Sequence, residues 1–303
     1  MSLAMLLAGI WNWLGKPSVA GRGSESPPFT LSTDYPPPDA APDSNAAWSA
    51  ARIEVAAQLW GEGYVFPGGE EETLHLAGPL CLSAASSLLL LGCGPGGPAC
   101  SIATRFGVWV SGFEADAHLA AAGAMLCARA GLGRRAQVET WDPTHPRFAH
   151  RYYHHAMLLD AIRGSAPEAI LGALVLSLQA GGQVALAQTV VEAPLDLADP
   201  MVARWAALER RSPALPTEAA ISRILARLGF DIRVVEDISQ RHMMQAVRGW
   251  RRAVRTMRTE KPPAARAALL VREAELWLLR IRLIRAGQLR LVRWHAISRM
   301  PQQ

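Results

Sequence analysis

Long hydrophobic runs, charge and paired cysteines are all scarce in this 303-residue sequence. No stretch is long and apolar enough to read as a membrane span. Residues 1–14 are apolar, but they are few and lack a basic leading region, so they make a poor secretory signal. Trp11 and Trp13 would suit a membrane interface, and a hydrophobic helix packing on the body or on a partner fits the same residues. The four cysteines, Cys81, Cys93, Cys100 and Cys127, include no CxxC pair. That sets aside the common zinc and dithiol motifs, and no metal site is expected. Three of them surround a glycine-rich stretch in apolar context, so buried free thiols in a reducing compartment are expected. Charged residues make up 19% against 50% apolar, which is the balance of a folded chain rather than a disordered one. The length holds one large or two small domains, and there is no internal repeat.

What is present is unevenly spread. The net charge of +5 comes from the end of the chain, where residues 248–303 hold 13 Arg and 1 Lys against 3 Glu. A basic surface there would meet an anionic lipid or an acidic protein partner, while solvated helix faces are the plainer reading. Nucleic acid is not an expected partner. Residues 16–45 are rich in Pro, Ser, Gly and Asp, including Pro36, Pro37 and Pro38. They read as an extended linker with no means of forming a core. The sequence thus divides into an apolar segment with its Pro-rich linker at 1–45 and a folded domain at 46–303.

Within that domain residues 47–59 have helical spacing, ended by Gly61, and a glycine-dense loop follows at 61–69. Residues 70–82 then lead to Leu88, Leu89, Leu90 and Leu91, a strand buried on both faces. Helices at 98–106, 117–131 and 168–178 alternate with strands at 108–113, 136–140, 154–159 and 183–191, the last entered through a turn at Ala180-Gly181-Gly182. This βαβαβ alternation argues a parallel sheet covered on both faces. An amphipathic stretch at 195–215 is closed by Pro213 and Pro216. Thr217 caps a helix that Gly229 ends. A strand at 230–235, helices at 239–257 and 264–285, and an alternating strand at 288–297 complete the order. Trp205, Trp250, Trp277 and Trp294 suit packing between helices or the lining of a ligand pocket.

The chemistry gathers where the leucine strand ends. Gly92-Cys93-Gly94-Pro95-Gly96-Gly97 lets the backbone turn sharply and sets a helix N-terminus beside any bound ligand. Glu114, 22 residues after Gly92, ends the next strand, where a carboxylate accepts hydrogen bonds from ribose hydroxyls. The spacing is a poor match to the GxGxxG of dinucleotide enzymes. Tyr152-Tyr153-His154-His155 looks like a base or metal cluster, but neighbours in a strand point to opposite faces, so core and edge roles are the plainer reading.

These residues resemble the class I S-adenosylmethionine-dependent methyltransferases. The glycine motif follows strand one, Glu114 follows strand two, Asp142 follows strand three, and Gly181-Gly182 precedes strand five. The resemblance implies a doubly wound, Rossmann-like α/β fold with a seven-stranded, mostly parallel sheet. It implies S-adenosylmethionine as cofactor and transfer of its methyl group to a small or amphiphilic acceptor. Gly92, Gly94 and Gly96, with Cys93 between them, become the methionine-side contacts. Glu114, with Ala115 beside it, becomes the ribose ligand, and Asp142 the residue near the adenine amine. Insertions at 195–216 and 239–286 become lids that set the acceptor.

A closer likeness is to the phosphoethanolamine N-methyltransferases. Trp60-Gly61-Glu62-Gly63-Tyr64-Val65-Phe66-Pro67-Gly68-Gly69 looks like their donor-binding loop, with Phe66-Pro67 in place of a Ser-Thr pair, and adds Tyr64, Gly68 and Gly69 to the expected cofactor contacts. The region 287–299 looks like their closing segment. The acid the wider family carries two residues before its first glycine is Leu90 here. The tyrosine of the phosphobase branch falls on Ala56, and its catalytic histidine near Arg163. The catalytic residue is therefore unassigned, with His154, His155 and Tyr64 as candidates. The alternative function is a catalytically weakened, non-catalytic scaffold. The expected location is cytoplasmic, with peripheral contact at the inner membrane face, or with a protein partner, through the N-terminal segment and the basic C-terminal region.

Overall fold

The computed structural model describes residues 47–162, 167–210 and 212–299. The expected N-terminal segment, its linker and Arg163 lie outside them. The four leucines form β1 (Ser87–Leu91), and each is fully buried. Leu88 and Leu90 enter one core, against Ile102 and Ala120, while Leu89 and Leu91 enter the core on the other face, against Leu171 and Ile224. Each such burial stabilises by roughly 2 kcal/mol, which fixes β1 as the centre of the fold.

Chain order then builds outward on either side of it. The strands are β2 (Trp109–Glu114), β3 (Ala136–Thr140), β4 (Tyr153–Leu159), β5 (Leu178–Val190), β6 (Phe230–Asp237) and β7 (Arg290–Ser298). They form one seven-stranded sheet in the order β3-β2-β1-β4-β5-β7-β6. Only β7 runs antiparallel to its neighbours. Around the sheet lie α1 (Ala50–Trp60), α2 (Gly69–Ala77), α3 (Gly97–Phe106), α4 (Ala117–Arg129), α5 (Pro167–Ser177), α6 (Pro200–Glu209), α7 (Glu218–Arg227), α8 (Ser239–Thr259) and α9 (Ala264–Arg285). This is the doubly wound, mostly parallel α/β architecture expected. The direction of winding reverses between β1 and β4, so a crevice opens past their carboxyl ends.

The expected elements are present, with two differences. Residues 69–77, expected only as a connection, are helical; three glutamates fill the first turn, Glu70 to Glu72, where the helix dipole favours negative charge. The turn expected at Ala180-Gly181-Gly182 lies inside β5, which starts at Leu178. A register shift opposite Tyr153 and His155 absorbs the glycines.

Helices from both expected insertions pack over the crevice. α1, α8 and α9 share a cluster built on Trp60, Trp250 and Trp277. α6 joins α9 through Trp205, Leu279 and Leu283. Much of the late arginine content is spent on ion pairs: Arg280 with Glu209, Arg290 with Glu192 and Glu218, Arg293 with Glu236, and Arg299 with Asp231. Among the described residues no helix is long and apolar enough to cross a membrane, and no group of acids, histidines and cysteines forms a metal site. The four cysteines are free; Cys81 is exposed rather than buried, because it follows the short 3-10 turn Gly78–Leu80 at the surface.

Candidate functional site

The glycine turn is shaped by close contacts rather than by sequence motif alone. Gly92 has φ 74°, and a Cβ there would lie 2.4 Å from the Leu159 carbonyl oxygen at the end of β4. Gly96 has φ 91°, and its Cβ would lie 2.7 Å from Gly123 Cα on α4. Backbone therefore meets backbone on both sides of the turn, which only glycine allows. The Gly94 N–H donates to Glu114 Oε2 at 2.8 Å, and the Asp116 N–H donates to Oε1 at 3.1 Å. Glu114 is thereby aimed across the crevice mouth from the end of β2. Cys93 is fully buried, faces the core and is not among the residues that line the crevice; burial pushes its thiol well up.

The glycine-dense loop folds over the start of α3. The Gly97 N–H donates to the Gly63 carbonyl at 2.9 Å. The Tyr64 hydroxyl bonds to the Gly97 carbonyl at 3.1 Å and to Ser101 Oγ at 2.9 Å. Tyr64 is buried, and burial pushes its phenol up, so it pins the loop and is no proton acceptor. Gly68 and Gly69 pack against Gln245 and the Trp60 carbonyl. Val65, Phe66 and Pro67 of the same loop line the crevice instead.

The crevice encloses about 200 Å³. Its sheet-side wall includes Gly92, Glu114, Ala115, Leu119, Trp141 and Pro143. Asp142 lies between two of these residues, but its carboxylate is turned back. It accepts from the Thr144 hydroxyl at 2.6 Å and the Thr144 N–H at 2.8 Å, and bonds to His145 Nδ1 at 2.9 Å. Those hydrogen bonds hold it down to about 2. The structure does not bring His154 and His155 here either. Leu88 pairs with His155, and His154 Nδ1 accepts from the Ser87 N–H at 3.1 Å. Both histidines lie at the amino ends of the strands, by strand rise roughly 13 Å from Gly92 for His155 and roughly 16 Å for His154. Burial lowers His155 to about 4.

Several residues at the site were not anticipated. Asp160 directly follows β4, much as Glu114 closes β2, and takes the left-handed conformation (φ 50°) that aspartate tolerates. Its Oδ1 accepts from the Thr189 N–H at 2.9 Å and from Gln188 Nε2 at 2.8 Å. Arg280, from α9, donates to Glu209 at 2.9 Å and Thr189 Oγ1 at 2.7 Å, and lies 3.8 Å from Asp160. Glu273, Leu276 and Arg280 share the α9 face that lines the crevice with Trp277, which the sequence had already offered as a pocket-lining candidate. Arg52 of α1 bonds to Glu273 and stacks on Trp48. Glu72 of α2 accepts from Arg241 and Gln245, each at 2.6 Å. His242, in the first turn of α8, also lines the space. The available signals were an acid directly after an apolar strand, for Asp160, and charged residues at helical spacing among apolar ones, for α9.

Neither a protein-family model nor a curated protein matches the sequence. The fold does match solved structures. A phosphoethanolamine N-methyltransferase 2 from Haemonchus contortus, solved with phosphomonomethylethanolamine and S-adenosylhomocysteine, is 19% identical at TM-score 0.71. That match covers 82% of this chain and 57% of the other, so the chain spans little more than half of that protein. A geranyl diphosphate C-methyltransferase from Streptomyces coelicolor is 15% identical at TM-score 0.58, covering 75% and 79%. The 4+2 cyclase SpnF is 18% identical at TM-score 0.58, covering 77% and 82%. At these identities the likeness is one of fold, the class I methyltransferase fold, and that fold hosts more than one chemistry.

Proposed function

We propose that this chain binds S-adenosylmethionine in the crevice beyond β1 and β4 and transfers its methyl group to a small or amphiphilic acceptor. The observation that carries the reading is the convergence, beside the reversal point of the sheet, of a glycine turn, which leaves no room for side chains, and the Glu114 carboxylate at the end of β2. The residues present fit the group. Gly92 and Gly94 supply close backbone for the amino-acid end. Glu114 supplies a hydrogen-bond acceptor for a ribose diol, exchanging its bond from Gly94 for bonds from hydroxyls. Ala115, Leu119 and Trp141 supply an apolar slot for a flat base. The bound donor contributes an electrophilic sulfonium methyl.

The chain's task is alignment and exclusion of water. The helices α1, α6, α8 and α9 roof the crevice, so an acceptor enters a largely dry space. Leu90 is fully buried in the core, so donor binding rests on Glu114 and the turn without an acid inside β1. The test is isothermal calorimetry with S-adenosylmethionine and S-adenosylhomocysteine on wild type and on Gly94→Arg. Gly94 lies 3.2 Å from Val65 by its would-be Cβ, so an arginine there fills the turn. Wild type is expected to bind and Gly94→Arg to bind at least tenfold more weakly. No binding by wild type would leave the scaffold reading in its place.

A further inference from the structure

The two helices behind the glycine turn meet twice. Gly96, at the start of α3, faces Gly123 of α4, where a Cβ would lie 2.7 Å from the Gly123 Cα. Four residues further along each helix stand Cys100 and Cys127, one turn on in both. Their sulfurs lie 2.9 Å apart. The Cys100 N–H donates to the Gly96 carbonyl at 3.0 Å, so the turn between the two contacts is regular helix. α3 and α4 thus run side by side in register, with a glycine contact at the turn and a thiol contact directly behind it.

Both thiols are free. Carbon atoms in ordinary contact stay about 3.5–4.0 Å apart, and sulfur is larger, so these two sulfurs already stand inside that distance. Closing the gap to the roughly 2.05 Å of a disulfide takes about 1 Å of movement. The two are also unequal. Cys100 is half-buried, whereas Cys127 is shielded from solvent. The hydrogen bond between them lowers the Cys100 thiol below its ordinary value and raises Cys127. Cys100 is therefore the sulfur that meets an oxidant as a thiolate, and Cys127 the one placed to resolve it. The third thiol of the region, Cys93, is fully buried and directs its sulfur to Gly112 of β2, where a Cβ would lie 3.1 Å from it.

We infer that Cys100 and Cys127 are a modification site: a reversible disulfide, formed by hydrogen peroxide, that latches α3 to α4 behind the glycine turn. The inference stands on the thiols and the helix contact, and not on the methyltransferase reading. The Cys100 thiolate attacks one peroxide oxygen. The S–O bond forms, the O–O bond breaks, and the departing oxygen takes a proton from solvent and leaves as water. The Cys127 sulfur then attacks the Cys100 sulfur. The S–S bond forms, the S–O bond breaks, and the leaving hydroxide takes the Cys127 proton and becomes a second water. The thiols give up two electrons in all, and these reduce the peroxide. A dithiol reverses the bond by exchange, so in a reducing compartment it is transient. The loop it closes carries β2 and the crevice residues Glu114, Ala115 and Leu119. The latch therefore ties the sheet-side wall of the crevice to α3.

The test uses the full chain, reduced, freed of reductant and then treated with hydrogen peroxide. Alkylation after unfolding, followed by peptide mapping, reads each cysteine separately, and the exposed Cys81 reports that the oxidant was active. Cys100 and Cys127 should lose alkylation together and appear as one linked pair. The treated protein should unfold at a urea midpoint about 1 M higher, the effect of joining positions 27 apart. Dithiothreitol should restore both readings, which separates the disulfide from methionine oxidation. Cys100→Ser should leave Cys127 open to alkylation and show no rise in midpoint. Cys127→Ala should stop at a sulfenic acid on Cys100, trapped by dimedone, and carries the measurement if Cys100→Ser does not fold. The inference is overturned if Cys100 and Cys127 stay alkylated under a dose that oxidises Cys81. A mapped link from either one to Cys93 or Cys81 overturns it too, as does a linked pair that leaves the midpoint unchanged.

Discussion

Replacing Gly96 by alanine tests the contact that shapes the glycine turn proposed to hold the donor. Gly96 caps α3 in the left-handed conformation, with φ 91° and ψ −6°. A Cβ there would sit 2.7 Å from Gly123 Cα and 2.9 Å from the Gly123 carbonyl oxygen, both backbone atoms of α4. Two terms oppose the substitution. Left-handed backbone at a residue with a Cβ costs about 1 kcal/mol, and forcing the helices apart adds about 2 kcal/mol. Gly131 provides the control: its φ is 70°, but nothing lies within 4 Å of its would-be Cβ. Gly131→Ala should therefore lose only the first term. With a urea m-value of about 3 kcal/mol/M, the unfolding midpoint should fall by about 1 M for Gly96→Ala and by about 0.3 M for Gly131→Ala. Circular dichroism in urea gives both numbers. Calorimetry with the donor should show weakened binding for Gly96→Ala alone. Equal midpoints for the two variants would mean that α3 and α4 do not meet at these glycines, and the steric account of the turn would be wrong.

Two further outcomes follow from groups inside the site. Tyr64→Phe removes the bonds to Gly97 and Ser101; it should destabilise by about 1 kcal/mol and weaken donor binding while leaving turnover at saturating donor nearly intact. A hundredfold fall in kcat would instead identify Tyr64 as a base. His242 bears on acid stability. Its folded value of about 3 lies below the ordinary 6.5, so between those limits the unfolded chain binds more protons than the folded one. The folded state is then fully favoured above pH 6.5 and loses stability as the pH falls toward 3, by up to about 1.4 kcal/mol per pH unit. Urea midpoints of wild type and His242→Gln, compared from pH 7 to pH 4, should converge or cross as the wild type loses this advantage. Parallel curves would refute the buried neutral ring.

Much of the sheet was legible because its signals are local. The leucine run of β1, the glycines after it and Glu114 at the tip of β2 sit within 27 consecutive residues, and β3 lies at 136–140 as the apolar spacing indicated. The site was less legible because side-chain direction and long-range convergence decide it. His154 and His155 looked reactive as a pair, yet strand polarity puts them at the far end of the sheet. Asp142 matched a family position, but its nearest polar neighbours, Thr144 and His145, take up its carboxylate. Tyr64 pairs with a serine 37 residues away, and Arg280 meets Glu209 across 71. No spacing rule in the sequence announces either contact.

The place of β7 has a consequence for how the molecule is made. β6 is synthesised before β7, yet in the sheet β7 lies between β5 and β6 and bonds to both. Until residues 290–298 have left the ribosome, β5 and β6 each present an unpaired edge, and Ile238 and Ser239 lack the Leu291 backbone groups that hold the start of α8. Exposed edges of this kind invite pairing with other chains. The nascent protein therefore passes through a stage, some sixty residues long, in which its sheet is open and its crevice has no roof anchor, and it closes only after β7 has been translated.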